Sequence, residues 1–444
     1  EDIRGMHAAA AVLTMRGGIT SHAAVIGRGL GLPCVVGAFN LVIDRKAQMI
    51  VSPDGRRFVV GDLITVDGTT GDVLAGAPDM LEATLDEAFQ TLLEWADEFR
   101  DIGVRANADT PADAQTARNF KAQGIGLCRT EHMFFEGDRL GVMREMIFAA
   151  NGNERRAVLD RLLPMQRDDF IKLFRIMQGQ PVCIRLFDPP LHEFLPSGKA
   201  GLRDLAEQLA LPVNDVADRV AALSEYNPML GMRGVRLGIA LPEIYEMQAR
   251  AIFEATAEFA LADDPFVVEI MIPLVSAMRE VELVKSRIDA VASAVRSERK
   301  VDFAYRLGVM VETPRAALRA QDIAQHASFL SFGTNDLTQM TYGLSRDDAG
   351  RFMSAYVQQG VYAEDPFHTL DVEGVGELLS IGAERGRKGR PNVVLSLCGE
   401  HGGTRTAIAF CRTQGFNYVS CSPFRVPAAR LSAAQLAIAD KVQS

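Results

Sequence analysis

The chain has 444 residues and a formal net charge of −10 at pH 7, with 48% apolar and 23% charged residues. This length exceeds what one small core accommodates and predicts two domains. The acidic balance, without a basic block, argues against nucleic acid as a partner. No apolar run approaches a membrane span and no signal-peptide pattern is visible. The six cysteines form no CxxC pair or cluster, so we expect reduced thiols, a cytoplasmic location and no membrane partner.

The chain starts at Glu1 with a helix-like pattern over 2–13 that runs directly into the motif GGITSHAA at 17–24. Because the chain starts in this way, we expect a fragment that lacks an N-terminal part of its parent protein.

His22 follows the Gly-Gly turn of this motif and stands at the head of a predicted helix over 23–29. The free amides and the dipole of a helix N-terminus stabilise negative charge, so a histidine there is well placed to carry a phosphoryl group. The alternative is a polar residue that caps the helix, and the spacing alone leaves both open. Thr20 is predicted to be a helix cap.

The remainder of the first domain is predicted from short apolar strands separated by turn residues, at 34–36, 49–51, 58–60 and 63–66. Residues 75–78 are typical of a domain exit. Apolar positions at helical spacing over 79–100 then predict a connecting helix. We therefore assign 1–77 to a small α/β domain, incomplete at its N-terminus, and 78–103 to a linker helix. Residues 76–78 and this helix are also candidate hinges between the two domains.

From residue 104 short apolar runs alternate with long helical stretches, which is typical of a (β/α)8 barrel with insertions. A barrel needs eight strands, and the run at 235–239 fits a strand least well. We assign 104–444 to this barrel. The nine candidate strands are 104–107, 125–128, 182–186, 235–239, 267–272, 307–311, 329–332, 393–397 and 418–421.

Polar residues cluster where the predicted strands end, and strand ends carry the chemistry in barrels of this kind. Singly, the arginines are typical of surface ion pairs, the acids of helix caps and the cysteine of a core thiol. Together they are expected to face one mouth. The strand-end groups are Arg129, Arg185, Asp188, Arg233, Arg236, Glu312, Arg315, Gly333, Thr334, Asn335, Asp336, Cys398, Glu400 and His401.

This set of residues suits a small, highly anionic metabolite. Glu312 and Asp336 on neighbouring strands can hold one Mg²⁺ and leave positions for substrate oxygens. Several arginines supply rigid forks for carboxylate and phosphate. Gly333 lets backbone amides approach a ligand closely. The local field of such a mouth outweighs the net negative charge of the chain.

The motif around His22, continued by GLPCVVG at 31–37, resembles the phosphohistidine segment of enzymes that use phosphoenolpyruvate. That family includes pyruvate phosphate dikinases, phosphoenolpyruvate synthases and the first enzyme of the bacterial sugar phosphotransferase system. The dikinases in particular are similar in GLCRTEHMFF at 126–135, DPPLHEFLP at 188–196, the run 331–350 and CGEHGG at 398–403. The resemblance covers nearly the whole chain.

The resemblance implies a swivelling phosphohistidine domain before a barrel that binds phosphoenolpyruvate and pyruvate. It implies that His22 is the phosphorylated residue and that Cys398 is the acid and base at the substrate methylene carbon. Thr20 matches a threonine that is a target of regulatory phosphorylation in some dikinases. The implied binding residues are Arg129, Arg185 and Arg233 for phosphate and carboxylate, Glu312 and Asp336 for Mg²⁺, and Gly333, Thr334 and Asn335 for substrate.

The reaction implied for the parent protein converts ATP, phosphate and pyruvate into AMP, diphosphate and phosphoenolpyruvate. The domain that binds ATP and phosphate is expected to lie in the missing part, so this chain is expected to run only the pyruvate half-reaction. A homodimer through the barrel is also implied. The alternatives are a phosphoenolpyruvate synthase that uses water in place of phosphate, a Mg²⁺-dependent enolpyruvate lyase, and a non-catalytic phosphoenolpyruvate sensor. His22 argues against a lyase, and Cys398 argues against a sensor.

Overall fold

A computed structural model describes residues 9–17, 23–24, 27, 32–44, 47–68, 70–78, 87–135, 138–260, 267–350 and 352–443. His22 and Thr20 lie outside the described residues. The chain forms two compact units, one of Glu1–Glu94 with Gly343–His368 and the other of Trp95–Tyr342 with Thr369–Ser444. The bounds 1–77, 78–103 and 104–444 differ from this division and stay a prediction.

The first unit contains three small sheets whose strands are two or three residues long. β1 pairs in parallel with β2, β3 to β5 form an antiparallel sheet, and β6 and β7 form a hairpin. The strands are β1 (Val12–Leu13), β2 (Cys34–Val35), β3 (Val42–Asp44), β4 (Met49–Val51), β5 (Arg57–Val59), β6 (Ile64–Val66) and β7 (Val73–Ala75).

The helix-like interpretation of residues 2–13 is wrong at its end, because Val12 and Leu13 pair with Cys34 and Val35 as strands. Buried Val12 and Val35 explain the difference, since a β-branched residue packs readily on a pleated surface. The strands β3 and β7 were not predicted, whereas β4 and β5, which are equally short, were recognised as apolar runs between turn residues. A short apolar cluster of Ala349, Met353 and Phe367 also belongs to this unit.

The second unit is a closed barrel of eight parallel strands, in which each strand pairs with its neighbours along the chain and the last pairs with the first. The barrel prediction is therefore confirmed. Its strands are β8 (Gly103–Asn107), β9 (Ile125–Arg129), β10 (Val182–Arg185), β11 (Val268–Ile272), β12 (Tyr305–Val311), β13 (Phe329–Gly333), β14 (Val394–Cys398) and β15 (Tyr418–Cys421).

The run 235–239 is not a strand but part of the helix Gly234–Ala240. Its buried residues are Gly234, Val235, Leu237 and Gly238, a spacing that follows a helix turn rather than the alternation of a strand. The barrel therefore closes with the other eight candidates.

Helices connect the barrel strands, and the predicted linker helix is described from Glu87 to Phe99. The longer helices that follow are Pro111–Asn119, Arg139–Phe148, Gly152–Ile176, Gly198–Leu209, Val213–Leu223, Pro242–Phe259, Met278–Arg299, Thr334–Tyr342, Val375–Gly389, Arg405–Thr413 and Val426–Gln443. In the described part of the chain, none of the helices combines the length and the apolarity needed to cross a membrane.

Caps at the helix starts fix where several strands end. Thr313 follows β12 and accepts a hydrogen bond from the amide of Ala316 at 3.1 Å, while its hydroxyl donates to the carbonyl of Val275 at 3.1 Å. Thr110 forms a capping box with Asp113 after β8. The backbone at these strand ends is thus held on both sides, which gives the polar side chains there a rigid support.

Candidate active site

The predicted barrel residues lie at the carboxyl ends of the strands or in the segments that follow them. Arg129 ends β9, Arg185 ends β10 and Cys398 ends β14. Gly333 ends β13, and Thr334, Asn335 and Asp336 open the helix after it, while Glu312 directly follows β12. Because the strands are parallel, these ends meet at one face of the barrel.

Asp188 connects two of the predicted arginines. Its carboxylate accepts hydrogen bonds from Arg233 Nη2 at 2.6 Å and Arg233 Nε at 3.3 Å, and it pairs with Arg185 Nη1 at 3.0 Å. Arg233 Nη2 also donates to Asp336 at 2.8 Å. Burial raises the pKa of Asp188, but Arg185 and Arg233 outweigh it and hold the pKa below its usual value. The sequence marks Asp188 as a strand-end residue without assigning it a role.

Three carboxylates form the acidic part of this mouth. Asp188, Glu312 and Asp336 each offer one oxygen, and these oxygens lie within 4.8 Å of one another. Burial, followed by repulsion from Asp336 and Asp188, raises the pKa of Glu312 to about 8. Three hard oxygen donors this close together, whose mutual repulsion raises the pKa of one of them, fit a divalent cation such as Mg²⁺. The pair predicted for the metal is therefore extended by Asp188.

The backbone around Glu312 is shaped to hold its carboxylate. The amide of Leu274 donates to Glu312 Oε1 at 2.7 Å, and Leu274 takes a left-handed conformation with φ 57° to do so. That conformation costs about 1–2 kcal/mol in a residue other than glycine. A Cβ on Gly333 would lie 2.9 Å from Glu312 Oε2, so a larger residue there would displace the carboxylate.

Replacing Glu312 by glutamine is expected to stabilise the barrel at alkaline pH when no metal is present. The pKa of Glu312 in the folded protein, about 8, lies above the ordinary glutamate value of 4.5. The contribution of Glu312 to the free energy of unfolding is therefore fully present below pH 4.5, where the acid is protonated in both states. It is lost as the pH rises to about 8. Glutamine mimics the protonated acid, so the variant keeps this stability at alkaline pH. One pKa unit corresponds to about 1 kcal/mol, so we expect the free energies of unfolding to differ by at least that much.

Melting temperatures in EDTA at pH 5 and pH 8.5 measure this effect. Glu312→Gln is expected to melt above the wild type at pH 8.5 by more than at pH 5, and Mg²⁺ is expected to raise the melting temperature of the wild type but not that of Glu312→Gln. Glu384→Gln, on an exposed carboxylate that pairs with Lys388, is the control and is expected to behave like the wild type at both pH values and with Mg²⁺. An unchanged difference between the two pH values would contradict the buried-acid interpretation.

Cys398 lies at the inner end of the mouth. Its side chain is 1% exposed, and Ser331 Oγ donates to its Sγ at 3.4 Å while the thiol faces the carbonyl of Phe332 at 3.6 Å. Burial raises the pKa of the thiol to about 11, although the Ser331 hydrogen bond lowers it. The thiol is therefore protonated at neutral pH and can donate a proton.

Thr334 and Asn335 differ in their surroundings. Thr334 is fully buried, donates to the carbonyl of Cys398 at 3.2 Å and contacts His401 Nδ1 at 2.9 Å. Its hydroxyl thus binds the two strand ends together. Asn335 is half-buried, and a Cβ on Gly399 would lie 3.1 Å from its Oδ1. Gly399 has φ 107°, which requires glycine.

Asp109 and His132 belong to the same face, and the sequence gives neither a role. Asp109 Oδ1 accepts the amide of Arg129 at 2.6 Å, while its Oδ2 contacts Arg129 Nη1 at 3.4 Å and His132 Nδ1 at 2.9 Å. Glu131 forms an ion pair with Arg185. The available signal is their position after β8 and β9, but which acid meets which base depends on the barrel geometry.

Two of the predicted strand-end arginines hold backbone instead. Arg236 donates to the carbonyls of Leu230 at 2.8 Å and Gly231 at 2.7 Å, and Arg315 donates to the carbonyl of Ser276. Arg236 thereby closes the loop that carries Arg233. These contacts describe structural roles for both side chains.

Family models and curated relatives match this chain over nearly its whole length. The family description "PEP-utilising enzyme, PEP-binding domain" matches residues 84–438, and "PEP-utilising enzyme, mobile domain" matches residues 1–71. "Pyruvate, phosphate dikinase" of Rhizobium meliloti is 55% identical over 439 residues, which cover 99% of this chain and 49% of the relative. "Pyruvate, phosphate dikinase" of Clostridium symbiosum is 47% identical, covering 99% and 50%.

A chloroplast relative, "Pyruvate, phosphate dikinase 1" of Oryza sativa, is 50% identical and covers 98% of this chain and 46% of the relative. The chain thus spans about half the length of the curated relatives it matches. A solved citrate lyase from Burkholderia xenovorans matches with a TM-score of 0.29 and 16% identity over 44% of this chain and 70% of that one, which is too weak to bear on function. On the family matches, the chain belongs to the phosphoenolpyruvate-utilising enzymes.

Proposed function

We propose that this chain transfers a phosphoryl group between phosphoenolpyruvate and His22, with pyruvate as the three-carbon product. The observation that carries the proposal is the cluster of Asp188, Glu312 and Asp336 with buried arginines at one end of the barrel, beside a protonated thiol. Cations and hard oxygen ligands in one mouth suit a phosphorylated carboxylic acid. The names of the relatives support the same substrates.

Phosphoryl transfer is catalysed mainly by positioning and electrostatics, because the protein contributes little covalent chemistry to it. Arg129, Arg185 and Arg233 bind the phosphate and carboxylate and offset the charge of the transferring group. Arg185 and Arg233 are held in place by Asp188, so they are oriented before substrate enters. Gly333 and Asn335 border the substrate.

Glu312 and Asp336, with Asp188 beside them, would hold Mg²⁺. Bound there, Mg²⁺ supplies Lewis-acid stabilisation of negative charge on the substrate oxygens. The high pKa of Glu312 means that its carboxyl gives up a proton when such a cation is bound.

Transfer of the phosphoryl group to a nitrogen of His22 breaks the bond between phosphorus and the enol oxygen and leaves an enolate. The methylene carbon of the enolate then takes the proton of Cys398, which leaves a thiolate that recovers its proton from solvent. In the reverse direction the thiolate removes a proton from the pyruvate methyl group. Burial keeps this thiol protonated at neutral pH, as the first direction requires.

Incubation with ³²P-labelled phosphoenolpyruvate and Mg²⁺ tests the proposal. We expect label on the protein that is lost in acid and stable in base, and we expect none in His22→Asn. His326→Asn, on a histidine that pairs with Glu282 outside the mouth, is the control and is expected to label like the wild type. Label that persists in the His22 variant would identify a different acceptor and contradict the proposal.

The reaction of the whole parent protein is also a proposal, since the chain spans about half of its relatives. We propose that a preceding domain uses ATP and phosphate to phosphorylate His22, giving AMP and diphosphate. The names of the relatives favour phosphate over water as the second acceptor. A dimer through the barrel, a cytoplasmic location and phosphorylation of Thr20 remain predictions.

A further inference from the structure

His132 is a side chain of the mouth that can carry a positive charge and that the proposed mechanism does not use. It lies in the short helix Thr130–Phe135 directly after β9, three residues beyond Arg129. Its side chain is 51% exposed. Among the described residues, its Nε2 has no hydrogen-bond partner, while its Nδ1 is held by Asp109 at 2.9 Å.

Asp109 holds His132 and Arg129 as a pair. Both side chains contact the same atom, Asp109 Oδ2, at 2.9 Å for His132 Nδ1 and 3.4 Å for Arg129 Nη1. The other oxygen, Oδ1, accepts the backbone amide of Arg129 at 2.6 Å. One buried carboxylate, 12% exposed, therefore fixes the strand end, the guanidinium and the imidazole together.

The charges around His132 favour its cationic form. Burial lowers the pKa of the imidazole, but contact with Asp109 outweighs it, Glu131 adds to the rise, and Arg129 opposes it. The pKa of His132 is therefore raised from its ordinary value. An imidazolium whose Nδ1 donates to a carboxylate leaves Nε2–H free to donate to a second anion.

Arg129 reaches the substrate region, because its charge lowers the pKa values of both Asp188 and Cys398. His132 stands beside Arg129 on the solvent side, where the ring is half-exposed. A phosphate bound by Arg129 would therefore lie close to the imidazole of His132. Charge-assisted hydrogen bonds of this type contribute about 1.5–3 kcal/mol.

We propose that His132 is a further phosphate-binding residue of this mouth and that Asp109 is the positioning residue that aligns it with Arg129. The inference rests on the proposed function, since it takes phosphoenolpyruvate as the ligand. It distinguishes the two three-carbon ligands, because phosphoenolpyruvate carries the phosphate that His132 would contact and pyruvate carries none.

Calorimetric titration of phosphoenolpyruvate and of pyruvate, both with Mg²⁺, tests this assignment. His132→Gln is expected to weaken phosphoenolpyruvate binding at least about tenfold, the equivalent of 1.4 kcal/mol, and to leave pyruvate binding unchanged. His132→Lys keeps a positive charge and is expected to restore phosphoenolpyruvate affinity to within about threefold. His326→Gln is the control; it changes a histidine that pairs with Glu282 at 3.3 Å just before β13, at the other end of the barrel.

Asp109→Asn tests the positioning role. We expect it to weaken phosphoenolpyruvate binding as well, and we expect His132→Gln to add little in that background, because residues that act as one unit are not additive. Equal loss for both ligands, or full phosphoenolpyruvate affinity in His132→Gln, would overturn the assignment while labelling of His22 in the wild type stands. A wild-type chain that binds pyruvate but not phosphoenolpyruvate would overturn both this assignment and the proposed function.

Discussion

Replacing Cys398 by alanine is expected to abolish the exchange of pyruvate methyl protons with solvent, by about 10²–10⁴-fold, the usual contribution of one proton-transfer group. The thiol is buried, held by Ser331 at 3.4 Å, and protonated at neutral pH because its pKa is raised to about 11. In the described residues around Cys398, the acids of the mouth are engaged by arginines or backbone. Proton NMR of pyruvate in D₂O with Mg²⁺ measures the exchange directly.

Cys183→Ala is the matched control for this prediction. Cys183 is also fully buried and belongs to the same interior cluster of the barrel, but it lies within β10 rather than at a strand end. It is therefore expected to share the cavity cost of losing a buried sulfur without losing exchange. Phosphoenolpyruvate binding with Mg²⁺ is expected to survive in both variants. Wild-type exchange in Cys398→Ala would remove this residue from the mechanism.

The barrel could be predicted because its strands carry a simple signal. Most are short apolar runs buried on both sides, and helical stretches separate them, as a parallel sheet requires. The run at 235–239 has a similar pattern, yet it lies in a short helix. Gly234 forms the turn before this run, and Pro242 begins the next helix after it. Five residues are too few to separate the two periods, so composition alone gives one strand too many.

The candidate site was predictable as a set of strand-end residues but not as a network. Arg185, Arg233, Glu312 and Asp336 could be placed at one mouth, because parallel strands bring their carboxyl ends together. A role could not be assigned to Asp188, the carboxylate between the arginines. Its partner Arg233 lies 45 residues away along the chain, and the neighbouring carboxylate of Asp336 lies 148 residues away. Such distances depend on barrel curvature and loop geometry.

Asp188→Asn is expected to slow phosphoryl transfer from phosphoenolpyruvate to His22 by more than about 100-fold and to destabilise the barrel. The substitution keeps the shape but removes the charge that compensates two buried guanidinium groups, at 2.6 Å from Arg233 and 3.0 Å from Arg185. Breaking a buried ion pair in this way costs about 3–5 kcal/mol. Among the described residues, Arg233 then retains only Asp336 as an ion-pair partner, a carboxylate that the proposed metal also needs.

Asp101→Asn separates this effect from the loss of an ordinary ion pair. Asp101 accepts two hydrogen bonds from Arg412, at 2.6 and 2.7 Å, but its side chain is 57% exposed, so the expected cost is below about 1 kcal/mol. Urea unfolding ranks the stabilities of the two variants. Single-turnover labelling isolates the effect on transfer, and it is done at a temperature where far-UV circular dichroism shows that Asp188→Asn is folded. If both variants label and unfold alike, Asp188 does not organise the arginines, and its ion pairs contribute no more to stability or transfer than an exposed pair does.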